Sequence, residues 1–76
     1  MHAAARIEAL RLLARCRGAR GDKHGAVAAL ESGVGEARAC GYVWMHACCL
    51  RDMLGWVEDA GEVKARIDAV EAGFGK

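Results

Sequence analysis

Small and hydrophobic residues recur at helical spacing along most of the chain. In its second quarter a Gly-Asp pair precedes one such series, which comprises Ala26, Leu30, Gly33, Val34 and Ala37. Steps of three or four residues place these side chains along one stripe of an α-helix. Because Ala26 and Gly33 are too small to fill a core, we expect another helix to come close at both positions.

The same spacing predicts four helices, over about residues 3–17, 23–39, 42–60 and 62–73. Gly21, Gly41 and Gly61 are expected to end or separate them, because glycine readily adopts the left-handed conformation that follows a helix. Asp22 is expected to accept hydrogen bonds from the first backbone N–H groups of the second helix. The third helix is apolar around most of its circumference, so we expect it to be enclosed.

The fourth helix has one clean hydrophobic stripe, formed by Val63, Ile67, Val70 and Phe74. No fifth helix follows in this chain to cover it. The stripe is therefore expected either to fold back on the third helix or to bind a partner or a second copy.

Composition favours helix over sheet and one domain over several. The 76 residues include sixteen alanines and no proline, and alanine is the best helix former. This length is near the lower limit for an independently folding domain. The formal net charge is +1, although residues 1–38 carry seven basic and four acidic residues (+3) and residues 39–76 carry four and six (−2). The whole-chain charge therefore favours neither nucleic acid nor a membrane surface as partner.

The sequence contains no apolar run near the ~20 residues of a membrane span. Its N-terminus also lacks the charged start and long apolar stretch of a secretory signal. A cytoplasmic location without membrane attachment is the expectation.

Several residues together resemble the tetratricopeptide repeat. They are the large-small pair Leu13-Ala14, the Gly21-Asp22 turn, and the small, large and small positions Ala26, Leu30 and Gly33. The second half fits less completely, through Leu54, Gly55 and Ala65. This resemblance implies an all-α fold of antiparallel helical hairpins, with repeats at about 3–40 and 42–74 stacked as a short solenoid.

The resemblance also implies a role for each matching residue and for the protein. Ala14 and Ala26 would let paired helices approach, Leu13 and Leu30 would fill the gap between them, and Gly33 would face the next repeat. The implied function is a protein- or peptide-binding scaffold whose first helices line the binding face. Trp44 and Arg51, an aromatic and a basic residue on one side of the third helix, are candidate partner contacts, although they could equally pack on a neighbouring helix.

The cysteines and histidines suggest metal or nucleophilic chemistry at first sight: Cys16, Cys40, Cys48, Cys49, His24 and His46. In an antiparallel pair of helices Cys40 would lie roughly 22 Å from Cys16, at 1.5 Å per residue, which is too far for a disulfide. Adjacent cysteines on one helix point apart and chelate poorly together. His46 and Cys49 lack an evident third residue to orient them for catalysis. We therefore expect buried free thiols in a reducing compartment, with no metal, cofactor, catalysis or small-molecule substrate.

Two alternatives to the scaffold function remain open. The repeats could act only as a spacer in a larger regulatory or signalling protein. Nucleic acid is a weaker alternative, since Gly18-Ala19-Arg20-Gly21 matches the short G-x-x-G loop of KH domains, which also need strands that this sequence does not predict. Its basic residues would be Arg11, Arg15, Arg17, Arg20 and Lys23.

Overall fold

The fold consists of four α-helices, seen in a computed structural model that describes residues 2–73. The helices are α1 (Ala3–Ala19), α2 (Lys23–Cys40), α3 (Val43–Met53) and α4 (Ala60–Glu71). Residues 2–73 contain no β-strand. The predicted all-α class is therefore confirmed.

The first two turns share one geometry that depends on a left-handed glycine. Gly21 has a φ of +85° and Gly41 a φ of +73°. After each glycine the next backbone N–H donates back into the preceding helix, from Asp22 to Arg17 and from Tyr42 to Ala37, both at 2.9 Å. This pattern is the Schellman motif, which satisfies carbonyls that a helix end otherwise leaves unpaired. The predicted helix ends at Gly21 and Gly41 are thus confirmed.

The third junction differs from the expected one at Gly61. Helix α3 ends at Met53, and the connection to α4 occupies residues 54–59. Asp59 accepts a hydrogen bond from the Gly61 backbone N–H at 2.9 Å, so Gly61 lies in the first turn of α4 instead of in a separating turn. The expectation that residues 42–60 form one helix is wrong, because residues 54–59 form a connection and Asp59 caps a helix that begins at Ala60.

The helices form an open row instead of a closed bundle. Each helix packs against its neighbour in sequence, α1 also touches α3, and within residues 2–73 no contact joins α1 to α4. The Cα framework measures 39 × 33 × 13 Å, so the row is much thinner than it is long or wide. Each of the four helices has exposed residues on one side.

The core lies where α2 meets α1 and α3. Its largest fully buried side chains belong to Ile7, Leu30, Cys49, Leu50 and Met53. The α2 stripe that begins at Ala26 and ends at Ala37 is buried along its whole length. Ala26, Leu30 and Ala37 are 0% exposed, and Val34 is 3% exposed. This result confirms that the stripe faces neighbouring helices.

Gly33 marks the point where α1, α2 and α3 come closest. A Cβ atom placed on Gly33 would lie 3.0 Å from Cys49 Sγ and 3.9 Å from both Ile7 Cγ2 and Leu10 Cβ. Two different helices therefore reach the same small residue. A larger side chain at this position would push α3 away from α2.

Several large apolar side chains are exposed to solvent. Leu13 was expected to fill the gap between α1 and α2, but it is 40% exposed, and Leu12 beside it is 57% exposed. Val43 and Trp44, at the start of α3, are 46% and 72% exposed. The expectation that α3 is enclosed is therefore wrong for its first turn, because an open row covers only one side of a helix.

Trp56, in the α3–α4 connection, packs across the end of α1 at Gly18. A Cβ atom on Gly18 would lie 2.5 Å from two atoms of the Trp56 ring. Only a residue without a side chain lets the indole lie this close to the α1 backbone. The contact attaches the connection to the first helix of the chain.

We expect opposite effects from two glycine-to-alanine substitutions in α2. Gly35→Ala should raise the free energy of unfolding by about 0.5–1 kcal/mol, because alanine favours helix and no atom lies within 4 Å of the new Cβ. Gly33→Ala should lower it by roughly 1 kcal/mol, since overpacking against Cys49 outweighs the helix preference. Urea unfolding followed by circular dichroism measures both. The expectation fails if the two variants are stabilised equally, and Cys49→Ala should remove the penalty at Gly33.

Gly18→Ala should also destabilise the protein, by about 1–3 kcal/mol, although it replaces glycine by a better helix former. The indole of Trp56 must move to make room. In a Trp44→Phe background, fluorescence reports on Trp56 alone and should show greater solvent exposure. In a Trp56→Ala background the same Gly18→Ala change should instead stabilise the helix, and destabilisation in both backgrounds would contradict the proposed contact.

Candidate interaction surface

Exposed large hydrophobic side chains are distributed unevenly among the helices. Within residues 2–73 they are confined to α1 and α3, and they comprise Leu12, Leu13, Val43 and Trp44. Large apolar groups on a surface mark an interaction site when they lie together in one patch, and α1 and α3 contact each other. Helices α1 and α3 are therefore the candidate interaction surface.

The outer side of α1 has a stripe of exposed small and apolar residues. Ala5, Ala9, Leu12 and Cys16 are all exposed and follow one another at helical spacing. Leu13 also lines a shallow groove with Arg6, Ala9, Leu10 and Glu36. At one side of this groove Arg6 and Glu36 form two hydrogen bonds, of 3.1 and 3.3 Å, and the pairing lowers the pKa of the Glu36 carboxyl.

The residues expected to carry repeat packing are divided between core and surface. Ala14, Ala26, Leu30 and Gly33 are buried, and Gly21 forms the first turn. Leu54 is half-buried, whereas Gly55 and Ala65 are exposed. The structural roles expected of Gly55 and Ala65 are therefore wrong in this chain, because α4 turns its Ala65 side to solvent and Gly55 lies outside a helix.

The residues expected to contact a partner are also divided between surface and core. Trp44 and Arg51 are exposed, and Arg51 forms an ion pair of 2.6 Å with Glu71. Val63 and Ile67 are only 5% and 6% exposed because they join the core, and Val70 packs against it. The α4 stripe thus folds back inside the chain, which is one of its two expected outcomes. Phe74 lies outside the described residues.

The four cysteines are free and occupy different environments. Cys49 is buried and Cys48 half-buried, but Cys16 and Cys40 are exposed, so the expectation of buried thiols is wrong for these two. Burial is the main reason why the pKa of the Cys49 thiol rises to about 11. At neutral pH this thiol is protonated and therefore a weak nucleophile.

Neighbouring charges also affect His46, the residue considered with Cys49. It is half-buried on α3, and loss of hydration is the largest cause of its lowered pKa, followed by the charges of Arg38 and Arg66. A lowered pKa favours the neutral imidazole at neutral pH. No group of three or more His, Cys, Asp or Glu side chains within residues 2–73 is arranged to hold a metal ion.

Arginine–carboxylate pairs connect the helices in a pattern that the sequence did not reveal. Arg11 on α1 reaches Asp52 on α3 at 2.6 Å, and Arg66 on α4 reaches Glu31 on α2 at 2.7 Å. The Asp52 interaction raises the pKa of Arg11. These partners are 41 and 35 residues apart, so no local charge spacing could have identified them.

This pairing reduces the number of basic groups available to nucleic acid. Arg11 is held by Asp52 and Glu8, and Arg17 donates a hydrogen bond of 3.1 Å to the Gly25 carbonyl. Both residues belong to the expected nucleic-acid set. Arg15, Arg20 and Lys23 stay exposed.

A second concave region lies between the first turn and the α3–α4 connection. It has a volume of about 540 Å³, and its lining includes Lys23, His24, Val27, Trp56 and Glu58. Asp22 lies at its edge, where it accepts a 2.8 Å hydrogen bond from the Gly25 N–H as the α2 cap. The cleft thus combines an indole with charges of both signs.

Comparisons with known proteins give no family for this chain. No family model, no curated protein and no solved structure matches it. Within the described residues, no helix is both long enough and apolar enough to cross a membrane.

Thiol modification should separate the cysteines by environment. In native protein we expect a colorimetric disulfide reagent to modify Cys16 and Cys40 quickly and Cys49 only after unfolding, because Cys49 is inaccessible and protonated. Time courses with and without denaturant measure the two classes. In a Cys48→Ser background, which removes the half-buried thiol, Cys16→Ser/Cys40→Ser should abolish the fast modification. Cys49→Ala in the same background should abolish the modification that requires unfolding. Native modification of Cys49 at the rate of Cys16 would contradict its burial.

Proposed function

We propose that this chain is a protein- or peptide-binding module of the tetratricopeptide-like helical repeat type. Its binding surface would be formed by the first helix of each pair, α1 and α3. The observation that carries the proposal is the confinement of exposed large hydrophobics to these two helices within residues 2–73. Large apolar and aromatic groups at a surface are typical anchors for protein partners.

The arrangement of helices supports a repeat interpretation. Two of the ion pairs connect α1 to α3 and α2 to α4, which are corresponding helices of two successive hairpins. Gly33 offers the space through which the second hairpin approaches the first. A row built in this way has one side of each first helix exposed, as a repeat protein needs for binding.

A non-catalytic role accords with the chemistry of the cysteine considered as a nucleophile. Cys49 is 0% exposed, and its thiol pKa is raised to about 11. A catalytic thiol instead requires access and a lowered pKa. A reducing, cytoplasmic setting fits the proposal, since all four thiols are free.

Selection from a displayed peptide library tests the function. We expect the wild-type chain to select a peptide whose affinity falls at least tenfold in Trp44→Ala, because losing an aromatic anchor commonly costs about 2 kcal/mol. Leu12→Glu should have a similar effect through the α1 surface. Isothermal titration with the selected peptide gives the affinities.

Ala28→Glu on α2 is the matched control, since it adds the same charge at an exposed helical position away from the proposed surface. Its affinity should equal that of the wild type. Circular dichroism of each variant checks that the helices persist. Failure to select any peptide, or equal losses in Ala28→Glu and Leu12→Glu, would overturn the binding surface and favour the spacer alternative.

A further inference from the structure

We propose that copies of this chain associate head to tail, with the outer side of α1 in one copy docking on the outer side of α4 in the next. The inference rests on the proposed function, because it identifies a partner for the α1 part of that binding surface. Two properties carry it: the two surfaces are complementary in side-chain size, and they are complementary in charge. Both helices lie at the ends of the row.

The α1 surface combines apolar side chains with positive charge. Its exposed stripe contains Leu12, which is 57% exposed, together with Ala5, Ala9 and Cys16. Exposed Arg15 lies beside this stripe by helical spacing, and exposed Arg20 lies at the cap that follows α1. The acidic residue of this surface, Glu8, pairs with Arg11 at 3.1 Å, which leaves the surface basic.

The α4 surface is small and acidic. Its exposed side presents Gly61, Ala65, Ala69 and Ala72 at helical spacing. The exposed residues Glu62 and Asp68 flank this series on either side. Exposed Glu58 and Asp59 add negative charge just before the helix, and Lys64 supplies one exposed positive charge. The net charge at this end of the row is therefore negative.

The two surfaces complement each other when the helices run antiparallel. The arginines lie towards the end of α1, whereas most of the acidic residues lie at or before the start of α4. Antiparallel docking therefore brings opposite charges together while Leu12 meets glycine and alanine. Small residues permit the same close approach that Gly33 permits inside the chain. Opposite charges across such a contact favour the correct partner and register.

The contact joins two different surfaces, so it does not close on itself in a pair. Each copy that docks through α1 leaves its α4 surface available to another. A heterologous contact of this kind produces rings or open chains instead of a two-fold dimer. Repeat arrays extend by the same nearest-neighbour addition.

Sedimentation equilibrium of two charge-reversed variants tests the proposal. Arg15→Glu/Arg20→Glu makes the α1 end acidic, and Glu62→Lys/Asp68→Lys makes the α4 end basic. We expect the wild-type mass to rise with concentration beyond twice the 8.1 kDa of one chain. Each variant alone should remain monomeric, because its two ends then repel. An equimolar mixture should assemble again, since each end regains an opposite partner.

The outcomes separate this inference from the proposed function. A wild type that stays monomeric while selected peptides still bind α1 and α3 overturns head-to-tail association and leaves the binding function intact. A mass that stops at two chains, or a mixture that does not assemble, also overturns it. Assembly that shows the expected charge dependence supports head-to-tail association even if no peptide is selected. In that case the proposed binding of other proteins is overturned. Circular dichroism and the restored mixture together show that the variants are folded.

Discussion

Gly33 allows three helices to share one point of contact, and the rest of the arrangement depends on it. The Cys49 sulfur on α3 and the Ile7 side chain on α1 both lie where a larger residue would project from α2. Glycine within a helix reduces helical stability by about 1 kcal/mol relative to alanine. Burial of Ile7, Leu30, Cys49 and Leu50 around this point offsets that cost, because full burial of one large aliphatic side chain contributes about 1.5–3 kcal/mol.

The ion pairs affect the relative positions of the helices more than they affect the free energy of unfolding. Arg6–Glu36, Arg11–Asp52, Arg66–Glu31 and Arg51–Glu71 connect four different pairs of helices. Exposed pairs of this type contribute about 0–1 kcal/mol each. Arg11 and Asp52 are better shielded, with side chains 19% and 27% exposed. Two hydrogen bonds join the Arg11 guanidinium to the Asp52 carboxylate. This pairing limits how far α1 and α3 can slide past one another.

Sequence patterns predicted the first half of the fold better than the second half for a local physical reason. Gly21 and Asp22 give an unambiguous stop and start, and the stripe that follows them has strict helical spacing. In the second half α3 ends at Met53, well before the expected stop at Gly61, and Asp59 caps α4 through one hydrogen bond to Gly61. Helical spacing alone does not show where α3 ends and where α4 begins.

The candidate surface was only partly predictable because hydrophobic spacing does not show which sides of a helix have neighbours. Trp44 was identified, as an aromatic residue on a more polar side of its helix. Leu13 is expected in the gap between paired helices but is exposed, and the Trp56 contact with Gly18 depends on residues 38 positions apart. A bundle in which α4 closed against α1 would have covered Leu12 and Leu13. The exposure of Leu12 and Leu13 is thus a direct consequence of the row, and any partner that covers them completes the packing that α1 lacks.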